Sequence, residues 1–204
     1  MGDRCAFFYG TLMAPQVLYR VCYGDSRPPP GTTAHLVIKP AILHDFCRRK
    51  VRHCDYPAIT RIEGDSVRGT YVTGLTQGDL WKLDIFEGDE YTRKKVPVRI
   101  LTAVGDETGE GNVEGEEVEA DTYIWIEGKD KLEEEEWDFS EFQKEKIRRW
   151  VGEDDEFAGR PSILEVDDAV RAQGGDPTGG RGWNGSITNQ LKEEKSKEVL
   201  GSAV

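Results

Sequence analysis

CAFFYGTLMAPQVLYRV, residues 5–21, changes character in its middle. Residues 5–9 are apolar or aromatic throughout and read as a short buried strand. The chain then breaks at Gly10-Thr11-Leu12 and passes at once into a helical pattern, with Pro15 suited to a first turn and Val17, Leu18 and Val21 on one face. A turn that leaves a strand just before a helix N-terminus, with no polar loop between, aims several backbone N–H donors at one point. Gly10 carries no Cβ, so the backbone there can come close to a ligand. The turn is a candidate cradle for a group that carries or develops negative charge.

Outward from this stretch the pattern is strand, helix, several strands, helix, strands, helix. GDSRPPPGTT (24–33) is a loop, because its prolines neither join a ladder nor continue a helix. Residues 34–46 read as strand through Leu36, Ile38, Ile42 and Leu43. RRKVRHC (48–54) reads as a polar strand edge or turn. DYPAITRI (55–62) resumes extended structure, since Pro57 biases Tyr56 toward the β region. SVRGTYVTGL (66–75) is a further strand. TQGDLWKLDIFEG (76–88) is a helix capped by Thr76, with Leu80, Leu83 and Phe86 at helical spacing and Gly88 as its stop. Residues 91–104 form a strand in which Pro97 marks an edge or bulge. The acidic, Gly-rich stretch 105–119 is expected as a hairpin loop, and ADTYIWI (120–126) as the last strand.

Residues 132–152 predict a helix whose apolar stripe is Trp137, Phe139, Phe142, Ile147, Trp150 and Val151, with Glu133–Glu136 on a solvated face. A short helix is expected at 163–173, followed by GGDPTGGRGWNG, which resists packing. One domain is expected at 4–158, with a weakly packed extension at 159–204. The order is not a regular βαβ alternation, so the fold class is α+β: a small barrel-like mixed β-sheet with flanking helices.

The 204 residues carry 27 Lys and Arg against 39 Asp and Glu, a net charge of −12. That balance argues against nucleic acid and against anionic membrane surfaces. No signal peptide and no membrane span is expected, and MGDRCA has Ala6 where a myristoylation motif wants Ser or Thr. A cytoplasmic protein with reduced thiols at Cys5, Cys22, Cys47 and Cys54 is expected. His44, Cys47, His53 and Cys54 fit no common zinc spacing, so no metal is expected.

Four motifs narrow the function. YGTL at 9–12, YPAI at 56–59, VRGTYV at 67–72 and KLDIFEGDEYTRKKVPV at 82–98 resemble, in order and spacing, the γ-glutamylcyclotransferase-like superfamily. The chain is most similar to its avirulence-induced-gene-like branch, which includes γ-glutamylamine cyclotransferases. The likeness runs from about Phe7 to Trp125, weakens through residues 133–142 and stops before 170. It implies a metal- and cofactor-independent enzyme that cuts small-molecule γ-glutamyl compounds. The substrate's α-amine attacks its own γ-carbonyl, releasing 5-oxoproline and a free amine or amino acid. By its place in LD-x-FEG the family's catalytic carboxylate maps onto Glu87, and the substrate-holding loop maps onto Tyr9, Gly10, Thr11 and Leu12. Monomer and homodimer are both compatible.

The chemistry is sound on first principles. An ammonium cannot attack a carbonyl, so a carboxylate within reach must take its proton and later deliver one to the leaving amine. Partial burial lifts such a carboxyl's pKa toward the working range. Ring closure is intramolecular, so holding the substrate folded removes much of the entropic barrier. Tyr91 and Arg93 either line the pocket and orient Glu87 or merely begin a strand. Asp84 reads as a solvated helix residue, and Glu90, the rival carboxylate, as exposed. Tyr56-Pro57 reads as barrel wall, and Trp137, Phe139 and Phe142 as core. Two other readings stand beside the enzyme: a non-catalytic binding module on the same fold, and an adaptor using the 105–119 loop and the tail.

Overall fold

Alternation begun in β1 (Arg4–Phe8) organises the whole molecule, a computed structural model that describes residues 2–106, 108–151 and 161–173. Phe7 and Tyr9 join Ala41, Leu43, Ile59 and Val98 in one buried cluster, while Ala6 and Phe8 join the helices in a second. This is the two-residue period of a strand with one face inside a barrel and the other under a helical layer. The strands β2 (Val37–Lys50), β3 (Pro57–Leu75), β4 (Tyr91–Ala103) and β5 (Val113–Trp125) close with β1 in the order β1–β3–β2–β4–β5. All pairs are antiparallel except β1 with β5, which meet in parallel at Ala6 and Asp121. The sheet is therefore mixed and barrel-like and the class α+β, as the element order implied.

Three elements differ from the sequence reading. The two strands expected at 55–62 and 66–75 are one continuous β3, paired along β2 across a bulge between His44 and Phe46. Asp45 takes up the bend with a left-handed φ of 62°, and its carboxylate accepts from the Gly64 amide at 3.1 Å. The expected 105–119 loop is strand from Val113 onward. Its acidic residues lie across from the basic ones of β4, with Arg99 opposite Glu117 and Lys95 opposite Asp121, so a cross-strand charge match replaces the mobile loop.

The predicted helix at 132–152 begins only at Asp138. Residues 131–135 instead run along β2: the Arg52 amide donates to Lys131 O at 2.9 Å, the Glu133 amide to Lys50 O at 2.9 Å and the Lys50 amide to Glu135 O at 3.2 Å. The Asp138 side chain then caps α3 (Phe139–Glu141) by accepting from the amides of Ser140 and Glu141. A wide turn, Phe142–Lys146, leads into α4 (Ile147–Trp150).

The helices position the site. In α1 (Pro15–Tyr23) the residues Val17, Leu18 and Val21 are buried, as their spacing predicted. In α2 (Gln77–Glu87) a reciprocal cap joins Thr76 and Asp79, each side chain bonding the other's amide, and Leu80, Leu83 and Phe86 face the core. Gly88 ends α2 with φ 69°, a conformation that suits glycine, and its amide donates to Asp84 O. The last described helix, α5 (Pro161–Ala172), lies beyond the boundary expected at 158 yet packs into the same core through Ile163 and Val166. A two-pronged ion pair from Arg20 of α1 to Asp167, at 2.6 and 2.9 Å, holds it. The expected tail at 174–204 lies outside the described residues.

Candidate active site

Glu87 is the last residue of α2, and the end of that helix is where the strand–turn–helix start of the chain comes to meet it. Both line one cavity of about 380 Å³, within the roughly 300–1,000 Å³ range of small-molecule sites. Its walls include Tyr9, Gly10, Thr11, Leu12, Glu87 and Tyr91. Six of the seven residues singled out from the sequence therefore share a single hollow. The seventh, Arg93, is not in its wall.

The Glu87 carboxyl has no hydrogen-bond partner among the described residues, although three tyrosines surround it closely enough for its charge to bear on their ionisation. Each tyrosine spends its hydroxyl proton elsewhere. Tyr9 donates to the Tyr123 carbonyl at 2.6 Å, Tyr91 to the Pro57 carbonyl at 3.0 Å and Tyr123 to Asp84 at 2.9 Å. Burial pushes all three phenols well above their ordinary value, so they stay neutral donors. Glu87 is thus a half-buried carboxyl with nothing to stabilise its charge. Desolvation first, and the negative charge of Asp84 second, push its pKa up to about 8. Its place at the negative end of a helix acts in the same direction.

Asp84 is not the merely solvated residue that its helix position suggested. It accepts from Arg93 Nε at 2.7 Å and Nη2 at 3.1 Å as well as from Tyr123. Arg93, expected in the pocket or beside Glu87, acts one step back, holding Asp84 and reaching Asp121 at 3.6 Å. Glu90 is not fully exposed either: it lines the cavity and accepts from the Tyr56 hydroxyl at 3.2 Å.

In the turn after β1 the Met13 amide donates to Gly10 O and the Ala14 amide to Thr11 O, which closes the short 3-10 turn Thr11–Met13. The amides of Thr11 and Leu12 have no protein acceptor among the described residues. Arg48 steadies this turn from behind, donating to Tyr9 O at 3.0 Å. Gly10 also meets a constraint inside the protein: a Cβ there would sit 2.8 Å from the Pro57 ring. Gly10→Ala should push the turn off Pro57, costing on the order of 1–3 kcal/mol and opening the cradle. Thermal melting and ligand binding measured side by side would register both effects.

The sequence reading passed over Tyr123, Trp150, Ser162 and Glu165, which all line the cavity. Tyr123 was detectable in principle, because it stands opposite Arg93 in the β4–β5 register. The α5 residues were assigned to a weakly packed extension and carried no such signal. Among the described residues no group of His, Cys, Asp and Glu is arranged to hold a metal ion, and no helix is long and apolar enough to cross a membrane.

Fold and site together define a small closed β-barrel with an acid-bearing cavity lined by the strand exit after β1 and the end of α2. The model of the family described as gamma-glutamyl cyclotransferase, AIG2-like, matches residues 6–139. AIG2-like protein D of Arabidopsis thaliana is 32% identical over 152 residues, which span 74% of this chain and 87% of that one. Protein AIG2 C of the same plant is 28% identical over 145 residues, 71% and 75% of the two chains. A solution structure of another Arabidopsis thaliana protein is 26% identical, covers 74% of this chain and 87% of its own, and superposes with a TM-score of 0.46. The chain belongs to the gamma-glutamyl cyclotransferase, AIG2-like family.

Proposed function

We propose that the protein is a γ-glutamylcyclotransferase in which Glu87 is the general acid/base and Tyr9–Leu12 the substrate cradle. One observation carries the reading: a carboxyl with a pKa of about 8 lines the same cavity as two backbone amides, and neither it nor they have a hydrogen-bond partner among the described residues. The amides of Thr11 and Leu12 receive the α-carboxylate or the developing oxyanion. Glu87, ionised in about half the molecules near pH 8, takes a proton from the α-ammonium. The freed amine closes the five-membered ring on the γ-carbonyl, the amide C–N bond breaks and Glu87 returns the first proton to the departing nitrogen, while the second proton shed by the ring nitrogen leaves with the departing amine as its ammonium form. Family membership supports the reaction type, and burial holds the carboxyl's pKa up.

The direct test is to incubate the full chain with a panel of γ-glutamyl amines, amino acids and peptides and to quantify 5-oxoproline by mass spectrometry. Release from at least one compound is expected. Silence across the panel would overturn the enzyme reading in favour of a binding module.

Arg93 gives this mechanism an adjustable setting. Its guanidinium offsets the Asp84 charge that raises the Glu87 pKa. Arg93→Gln leaves that charge uncompensated, so the acidic limb of the kcat/KM–pH profile should move to higher pH and activity at pH 7 should fall severalfold. An unmoved limb would remove Arg93 from the account.

A further inference from the structure

Arg48 is a buried charge outside the wall of the active-site cavity, and what it holds is the first carbonyl of the substrate turn. Its side chain is 12% exposed, and its Nε is buried with no hydrogen-bond partner among the described residues. Burying a guanidinium with a donor left over is costly, and an apolar side chain of similar volume would often serve the packing as well or better. The cost is offset by what surrounds the group. Nη2 donates to Glu136 Oε1 at 2.8 Å, and the guanidinium carbon lies 5.6 Å from the centre of the Trp137 ring. Nη1 donates to Tyr9 O at 3.0 Å and, at 3.5 Å, to Arg68 O. Glu136 and Trp137 follow directly on the stretch that runs along β2, while Tyr9 is where the chain turns out of β1. Arg48, Glu136 and Trp137 also line a second hollow of about 580 Å³.

The peptide joining Tyr9 to Gly10 is trans, so its C=O and N–H point in opposite directions. A guanidinium that fixes the carbonyl therefore fixes the amide as well, and aims it away from Arg48. The Gly10 amide, like those of Thr11 and Leu12, has no protein acceptor among the described residues, and all three residues line the cavity. We infer that Arg48 is a positioning residue: acting through the Tyr9 carbonyl, it keeps three consecutive amides aligned on the substrate, while Glu136 and Trp137 fix its own orientation. This rests on the cyclotransferase reading of residues 9–12. The task calls for the planar fork of arginine, because Nη1 and Nη2 hold two different elements at once. A lysine ammonium on its flexible stem reaches one of them. Donors stabilise developing charge only when they are in place beforehand, so a turn free to rock loses more than one bond.

The test reads turnover as 5-oxoproline release by the full chain from the panel compound cut fastest, and cradle affinity as binding of 5-oxoproline itself in an NMR titration. Every variant is assayed at a temperature where it is folded. Arg48→Met should lower kcat/KM at least tenfold and weaken 5-oxoproline binding at least threefold, and Arg48→Lys should not restore either. Arg49→Met, which loses only a bond to the Glu134 carbonyl, should stay within twofold of the parent. In Arg48→Ala, millimolar ethylguanidinium, entering by the second hollow, should raise turnover at least threefold, and ethylammonium should not. A merely structural arginine predicts loss that follows the unfolded fraction and no selective rescue. Turnover within twofold of the parent in Arg48→Met, or a loss in Arg48→Ala that ethylguanidinium does not selectively repair, would overturn the inference while leaving the cyclotransferase reading intact. No turnover by the parent, with 5-oxoproline binding that Arg48→Met still weakens, would do the opposite.

Discussion

Glu87→Gln should cut 5-oxoproline release by about 10²–10⁴-fold, the usual worth of a positioned acid/base, while leaving the fold intact. Glutamine matches the size and shape of the protonated carboxyl but neither accepts nor returns a proton, so the loss should fall on kcat with substrate binding largely retained. A second signature separates this from simple damage. The Glu87 pKa rises on folding from its ordinary 4.5 to about 8, which means that the fold favours the protonated form. Its contribution to stability is fully present below the unfolded value and is lost as pH climbs through the folded one. The loss approaches a few kcal/mol by linkage at pH 9. Glutamine has no proton to lose, so the variant should melt close to the parent at pH 5 and above it at pH 9. Wild-type activity in Glu87→Gln would remove this residue from the mechanism. An equal melting difference at both pH values would refute the burial argument for its pKa.

Phe142→Ala should be the most damaging of the core changes near the site, at about 3–5 kcal/mol. The ring is 1% exposed and touches Trp137 at 5.5 Å, Phe139 at 6.4 Å and Trp150 at 5.7 Å, so truncation leaves a void that three large rings cannot all collapse into. For a chain of this size the midpoint of thermal unfolding should drop by roughly 10 °C. Because Trp150 forms part of the cavity wall, affinity for γ-glutamyl compounds should weaken even at temperatures where the variant stays folded. Denaturant titration with ligand binding on the same sample checks both parts. A change below about 1 kcal/mol would mean that the ring is not the keystone its burial implies.

What the sequence disclosed was local. Thr76 and Gly88 bracket α2 with a cap and a left-handed stop, and both signals sit within a few residues of the helix they bound. The Tyr9–Leu12 turn was legible for the same reason. What it hid was settled across long distances. Four consecutive glutamates favour a helix in isolation, yet the backbone of Glu133 and Glu135, with that of Lys131, finds partners on Lys50 and Arg52, some 80 residues earlier, and stays extended. The acidic stretch after Val113 resembles a solvated loop until it is laid beside Lys94, Lys95 and Arg99. Asp84 and Arg93 looked unrelated because only the turn of α2 into β4 brings nine residues' separation down to a bidentate ion pair. Glu165 could not be placed at all, since the helix that bears it was read as part of an extension.

That helix carries an evolutionary corollary. It packs on α1 and α2 through apolar side chains and one guanidinium–carboxylate clasp from Arg20, without entering the strand ladder. Substitutions along its inner face can retune what the pocket accepts without disturbing the hydrogen-bonded cylinder on which folding depends. Such an architecture lets the cavity wall diverge by editing one appended helix, while the barrel strands and the turn that carry the rest of the wall stay as they are.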